Sequence, residues 1–166
     1  MKYANEAESL LKKLISIKSF SFHEDQTADY IEKWLREINI DTSRSVNNVY
    51  AINKYYDKNK PSILLNSHHD TVEPNSGYTI DPFEPIIKDE KLYGLGSNDA
   101  GISLCCLLMV FVHFYEKDDL NFNLIILASA EEERSGKNGI MSVMPKLPRI
   151  ELAIIGEPTK MDIAVA

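Results

Sequence analysis

Three short apolar runs, residues 62–66, 122–128 and 152–155, constrain the fold of this chain more than any other feature. Each has the length of a strand rather than a helix, and each stops at polar residues that include histidine or carboxylates. Runs of this kind read as strands buried on both faces, the pattern of a parallel sheet covered by helices. Helical patterns alternate with them. Ala7, Leu10, Leu11, Leu14 and Ile15 recur at helical spacing. Ser21 and Glu24 have capping-box spacing ahead of Tyr30, Ile31, Trp34, Leu35 and Ile38, which share one helical face. Residues 98–115 form a long apolar helix pattern and 138–144 a short one. Residues 46–53 read as a further strand, and 86–93 as a hairpin around Lys88-Asp89-Glu90-Lys91. The alternation predicts an α/β domain with a largely parallel sheet. Residues 161–166 resemble the start of another strand, so the domain is expected to continue past it.

Composition narrows the function. At 166 residues the chain is expected to be one domain or part of one. A hydrophobic content of 44% excludes disorder as the main state. The net charge of −7, with no basic stripe, disfavours nucleic acid as a partner. The apolar stretch 102–114 is shorter than the roughly 20 residues that a bilayer requires, so no membrane partner is expected. Residues 1–14 mix lysine with glutamate and lack a continuous apolar segment, so no signal peptide is read there. Cys105 and Cys106 are adjacent, poorly placed to bridge each other, and read as buried reduced thiols on a helix. A cytoplasmic location is expected. His23 reads as a cap or surface residue, and His113 as helix packing.

Four segments carry chemistry. In Ser67-His68-His69-Asp70, His68 and Asp70 lie two apart and project to one side of an extended chain, so Asp70 can orient the His68 ring. His69 points the other way, to packing or to substrate. Gly94-Leu95-Gly96-Ser97-Asn98-Asp99 is a glycine-rich turn before a helix; capping by Asn98 or Asp99 is the simple reading, and a phosphate loop lacks its Lys-Ser/Thr ending. Glu131-Glu132-Glu133 follows an apolar strand, where three carboxylates repel unless they are exposed or paired with cations. Glu157 follows another strand, held extended by Pro158. Together, one histidine, several carboxylates and no cysteine at element ends suit Zn²⁺ or a related divalent ion in a catalytic site, and two ions that share a carboxylate.

The four ordered motifs, Ser67-His68-His69-Asp70, Gly94 to Asp99, Glu131-Glu132-Glu133 and Gly156-Glu157-Pro158-Thr159, resemble the dinuclear zinc amidohydrolases and exopeptidases that include acetylornithine deacetylase, succinyl-diaminopimelate desuccinylase, aminoacylase-1 and carboxypeptidase G2. The resemblance implies a three-layer αβα zinc-peptidase-like catalytic domain with a mixed, largely parallel twisted sheet. It implies that His68 and Glu157 bind one metal, that Glu133 binds the second and that Asp99 bridges both. Asp70 then tunes His68, and Glu132 is the general base toward a water shared by two divalent ions, zinc first and cobalt as an alternative. A cis peptide after Asp99 is also implied. Leu95 stands where the family commonly has arginine, and Asp99-Ala100-Gly101 replaces the more usual Asp-Met-Lys-Gly, a variant most similar to acetylornithine deacetylase-like members. The expected activity is therefore hydrolysis of the amide bond of an N-acyl amino acid, N-acetylornithine in arginine biosynthesis first. Succinyl-diaminopimelate or succinylornithine desuccinylation, or dipeptide cleavage, is the alternative. The family is longer, so residues 1–166 are expected to be the N-terminal part of the catalytic domain. The lid and dimerisation domain, through which the parent would form a homodimer, and the C-terminal catalytic part would then be absent. An inactive fragment or a non-catalytic module is the remaining alternative for this chain.

Overall fold

The computed structural model describes residues 2–160. Its centre is a five-stranded sheet in the order β1-β2-β6-β3-β7. The strands are β1 Ser43–Ser45, β2 Asn48–Ile52, β3 Ser62–His68, β6 Asn123–Ser129 and β7 Ile150–Ile155, with a separate hairpin of β4 Ile86–Lys88 and β5 Lys91–Tyr93. β6, β3 and β7 run parallel, whereas β2 is antiparallel to β6 and β1 to β2. The sheet is thus mixed, with parallel and antiparallel pairings in equal number, and its parallel character is confined to the three strands that carry the site.

Helices α1 (Lys2–Ile15), α2 (Asp25–Glu37) and α3 (Ile102–Phe114) cover one face. α1 buries Ala7, Leu10, Leu11, Leu14 and Ile15, the five residues of its helical stripe. α3 buries Leu104, Cys105, Leu108, Met109 and Phe111 against this layer. The other face is covered more thinly by α4 (Ile140–Val143) and the turn after it, with Leu64, Ile125, Leu127 and Val143 at the centre. The result is the three-layer αβα arrangement.

Several expectations change. The strand expected over 46–53 forms as β2 from Asn48 to Ile52, but Val46, at φ 55, lies before it in the two-residue loop that joins β1 to β2. Ser45 pairs with Asn48, so the chain turns at Val46 and Asn47, at the start of the expected strand. The capping box does not form: α2 starts at Asp25 without a side-chain cap, because Ser21 and Glu24 turn inward to other partners. Ile38 lies past the end of α2 and is exposed, not on its buried face. β7 is a strand, but Leu152, Ile154 and Ile155 are about half exposed, because β7 is the edge of the sheet among the described residues. Cys105 is buried as expected, whereas Cys106 is exposed on the outer side of α3. The helix expected over 98–115 is broken: Asp99 and Ala100 have non-helical backbone angles, and regular helix begins only at Ile102. Residues 97–114 are together long and apolar enough for a membrane span, but α3 alone has 13 residues and packs as the core helix against α1, β3 and β6. The hairpin over 86–93 forms as expected, with Asp89 and Glu90 both at positive φ, the geometry that matches strand twist in a two-residue turn. The strand start expected over 161–166 lies outside the described residues.

Candidate metal centre

The parallel register decides where the chemistry meets. His68, the last residue of β3, pairs with Ser129, the last of β6, and Asn66 pairs with Ile155, the last of β7. β3 and β6 therefore end at one level and β7 two residues earlier, and the residues just beyond them emerge at the same carboxyl edge of the sheet, where open α/β sheets bind ligands. Asp99 joins them from the turn before α3, which packs against β3. Gly96 makes that turn possible. It sits at φ 71, and a Cβ there would lie 2.6 Å from Thr71 Cγ2. The Asp99–Ala100 peptide is cis. Gly101 and not Asn98 or Asp99 precedes α3, and no side chain caps it, so the capping reading of this segment does not hold.

His68 is the buried pivot. Its Nδ1 donates to the Asp70 carbonyl oxygen at 2.9 Å, with Asp70 Oδ1 at 3.5 Å. Its Nε2 faces Asp99 Oδ1 at 3.1 Å, Glu132 Oε2 at 3.8 Å and Glu157 Oε2 at 3.9 Å. One ligand atom from each of His68, Asp99 and Glu133 lies within 4.8 Å of the others. The structure thus gathers all six residues singled out in the sequence: His68, Asp70, Asp99, Glu132, Glu133 and Glu157. His68 and Asp70 have fully buried side chains, while those of Asp99 and Glu132 are half exposed, so the cluster opens to solvent on one side.

Electrostatics reports the same crowding. Burial disfavours the charged ring of His68, but the Asp70 carboxylate and carbonyl, with Glu157, outweigh it and raise its pKa to about 9. Burial raises Glu133 above the usual carboxylate range, and Asp99, Asp70 and Glu132 add to this. Glu157 is likewise raised by burial first, then by Glu132, Asp99 and Glu133. Asp70 moves the other way: burial opposes its charge, but hydrogen bonds from His68, Ser21 and the Glu132 N–H overcome it. Carboxylates this close stabilise positive charge between them. The fit to a divalent cation is good: the donor set is one imidazole and several carboxylates, with the imidazole oriented from behind by Asp70.

Several residues that build the site were given no role in it by the sequence reading. Ser21 Oγ donates to Asp70 Oδ2 at 2.7 Å. Ser67 Oγ donates to the Gly156 carbonyl at 2.8 Å, with the Ala100 carbonyl at 3.4 Å, so one hydroxyl ties β3 to both the Glu157 and the Asp99 segments. The third acid of the triple, Glu131, is not in the cluster; it is buried and accepts from Asn138 N–H and Nδ2 at 3.0 and 2.9 Å. His69 is a packing residue: its Nε2 donates to Asn47 O at 2.9 Å, Nδ1 meets Thr27 Oγ1 at 2.9 Å, and burial pushes its pKa down to about 4. His113 lies at the surface against Tyr3 and Phe114.

Comparison with known proteins identifies a family and a fold. The sequence pattern of Peptidase family M20/M25/M40 matches residues 64–166. The chain is 29% identical over 164 residues to a succinyl-diaminopimelate desuccinylase of Rickettsia bellii, covering 90% of this chain and 41% of that protein. It is 30% identical over 166 residues to the protein of the same name from Rickettsia rickettsii, covering 90% and 43%. The chain spans about two-fifths of the length of these curated relatives. Among solved structures, a dinuclear metal binding peptidase from the M20 family of Bacillus subtilis superposes with a TM-score of 0.69 at 18% identity, covering 93% of this chain and 43% of that one. A di-peptidase of Saccharomyces cerevisiae gives 0.72 at 17%, covering 94% and 39%. At these identities the structural likeness is one of fold.

Proposed function

The chain belongs to peptidase family M20/M25/M40, and from that premise we propose that the intact protein hydrolyses the amide bond of an N-acyl amino acid with two divalent metal ions. The observation that carries this reading is the convergence of His68, Asp99, Glu133 and Glu157 on one sheet edge, with Glu132 beside them. His68 and Glu157 would hold one ion, Glu133 the other, and Asp99 would serve both. When bound, the ions would polarise the amide carbonyl and make a water acidic enough to attack near neutral pH. The protein's own residues do the rest. Asp70 holds the His68 ring by its Nδ1 side, leaving Nε2 to the cation. Glu132, half exposed and 3.8 Å from His68 Nε2, would accept the proton of the attacking water and return it to the leaving amine.

The succinyl-diaminopimelate desuccinylase relatives favour a succinyl substrate over the N-acetylornithine expected from the Gly94 to Gly101 segment. We therefore read the protein as an N-acyl amino acid deacylase of biosynthesis with N-succinyl-diaminopimelate as its first candidate, and N-acetylornithine, succinylornithine and dipeptides as rivals. Zinc is the proposed metal, and residues 1–166 are proposed to be the N-terminal part of the catalytic domain. A homodimer through a lid domain, and a cytoplasmic location, belong to the same proposal. Turnover of these substrates by the zinc- or cobalt-loaded intact protein decides among them, and failure on all of them rejects the reading. Glu132→Ala is expected to keep two metals but to lower kcat by about 10²–10⁴-fold, the usual contribution of general-base catalysis. Unchanged turnover removes Glu132 as the base.

A further inference from the structure

Three consecutive backbone N–H groups lead into the metal centre, and each ends on a buried carboxylate. Those of Glu132 and Glu133 donate to the two oxygens of Asp70, at 3.0 and 3.2 Å. That of Glu131 donates to Glu24 Oε1 at 2.9 Å. Glu24 is fully buried. Its remaining partners are the Phe22 N–H on Oε1 and Asn47 Nδ2 on Oε2, both at 3.2 Å. Burying a carboxylate is expensive, and here all its bonds come from neutral amides. On the other side, Glu131 has left-handed backbone at φ 57, and its own carboxylate is held by Asn138. Asn138 O accepts from Asn48 Nδ2 at 2.6 Å, and Asn48 Oδ1 accepts from the Ala130 N–H at 3.0 Å. The residue just before Glu132 and Glu133 is thereby fixed from front and back.

We propose that Glu24 is a positioning residue for the hydrolytic centre, acting through the Glu131 N–H to set where Glu132 and Glu133 stand relative to His68 and Asp99. This rests on the proposed hydrolase reading. Without the Glu24 acceptor, a buried N–H in a left-handed residue loses its partner. The turn that carries both glutamates is then free to shift, and active sites lose about 10²-fold for displacements near 1 Å.

The test compares Glu24→Asp, Glu24→Ala and Glu24→Gln in the intact protein. The readouts are Co²⁺ titration with visible spectra, kcat and KM on the N-acyl substrate, and thermal unfolding. Glu24→Asp withdraws the carboxylate by one methylene. It is expected to lower kcat by about 10²-fold with KM within about threefold, and to change the Co²⁺ spectrum. Glu24→Ala should do the same or worse. Glu24→Gln keeps an oxygen for the Glu131 N–H and should restore most of the rate. Folded Asp and Ala variants with wild-type kcat and Co²⁺ spectrum, changed only in melting temperature, overturn the proposal. If the Ala variant does not fold, the Asp variant decides. If the wild type hydrolyses no N-acyl amino acid, the functional reading fails by itself. The Co²⁺ affinity and spectrum of the variants then decide for or against positioning.

Discussion

Asp70 has no exposed side-chain surface, yet it touches the metal centre on two sides. It fixes the Nδ1 side of His68, and its carboxylate receives the N–H groups of Glu132 and Glu133. Asp70→Asn would place an amide N–H toward one of three donors, those two and Ser21. The Asp70 carbonyl that holds His68 remains, but the turn that carries Glu132 and Glu133 is disturbed, so metal affinity is expected to fall by about 10–100-fold, the usual effect of mutating an outer partner of a metal site, and calorimetric titration with Zn²⁺ checks it. The adjacent histidines behave oppositely for physical reasons that spacing only half reveals. Alternation along β3 sends His68 toward the carboxylates and His69 into a neutral pocket of Thr27 and the Asn47 carbonyl. The folded pKa of His69, about 4, lies below its ordinary 6.5. Its neutral burial therefore supports the fold above pH 6.5, and that support is lost as pH falls through about 4. Thermal midpoints of the metal-free protein should drop over this window, and more shallowly in His69→Gln. Identical slopes in the two proteins would remove His69 as the cause.

At the level of elements, the turn after β6 shows how little of a site's scaffold is written locally. The run Glu131-Glu132-Glu133 reads as three equivalent acids. In the fold, the left-handed backbone of Glu131 sends its side chain back into the protein, whereas the next two emerge at the sheet edge. Gly136 makes room for it: a Cβ there would lie 2.0 Å from Glu131 Oε2 and 2.5 Å from its Cβ. Gly136→Ala is thus expected to destabilise by about 1–3 kcal/mol, as overpacking does, and to weaken metal binding with it. A chemical melt combined with Co²⁺ titration measures both. The Ser21 and Glu24 pair teaches the same lesson. Its spacing fits a capping box, but Asp70 and the Glu131 N–H compete for these side chains and win, because both lie in the interior, where an unmet bond costs more than a frayed helix end.

Across the whole molecule, the sheet acts as an assembly device for charge. Carboxylates from three segments, with one histidine, are brought within a few ångströms, and burial first, with their mutual repulsion added, raises Glu133 and Glu157. A divalent cation relieves the repulsion, so binding should stabilise the fold. At a free concentration 100 times Kd the gain is about 2.7 kcal/mol per site. The intact protein is therefore expected to melt higher with Zn²⁺ and lower with a chelator, and scanning calorimetry tests this. The choice of the six clustered residues came from the resemblance of four motifs to a family, whereas the alternation of apolar runs with helical stripes, the buried face of α1, the 86–93 hairpin and the segments that carry the chemistry could be read from the residues themselves. They depend on periodicity and on residue chemistry, which are local. The antiparallel half of the sheet, the exposed face of β7, the break at Asp99 and the inward turn of Glu24 and Glu131 were decided only by the tertiary structure. Each depends on which strand pairs with which, and on which buried donor finds which acceptor, and those partners lie as far as 107 residues apart in the chain.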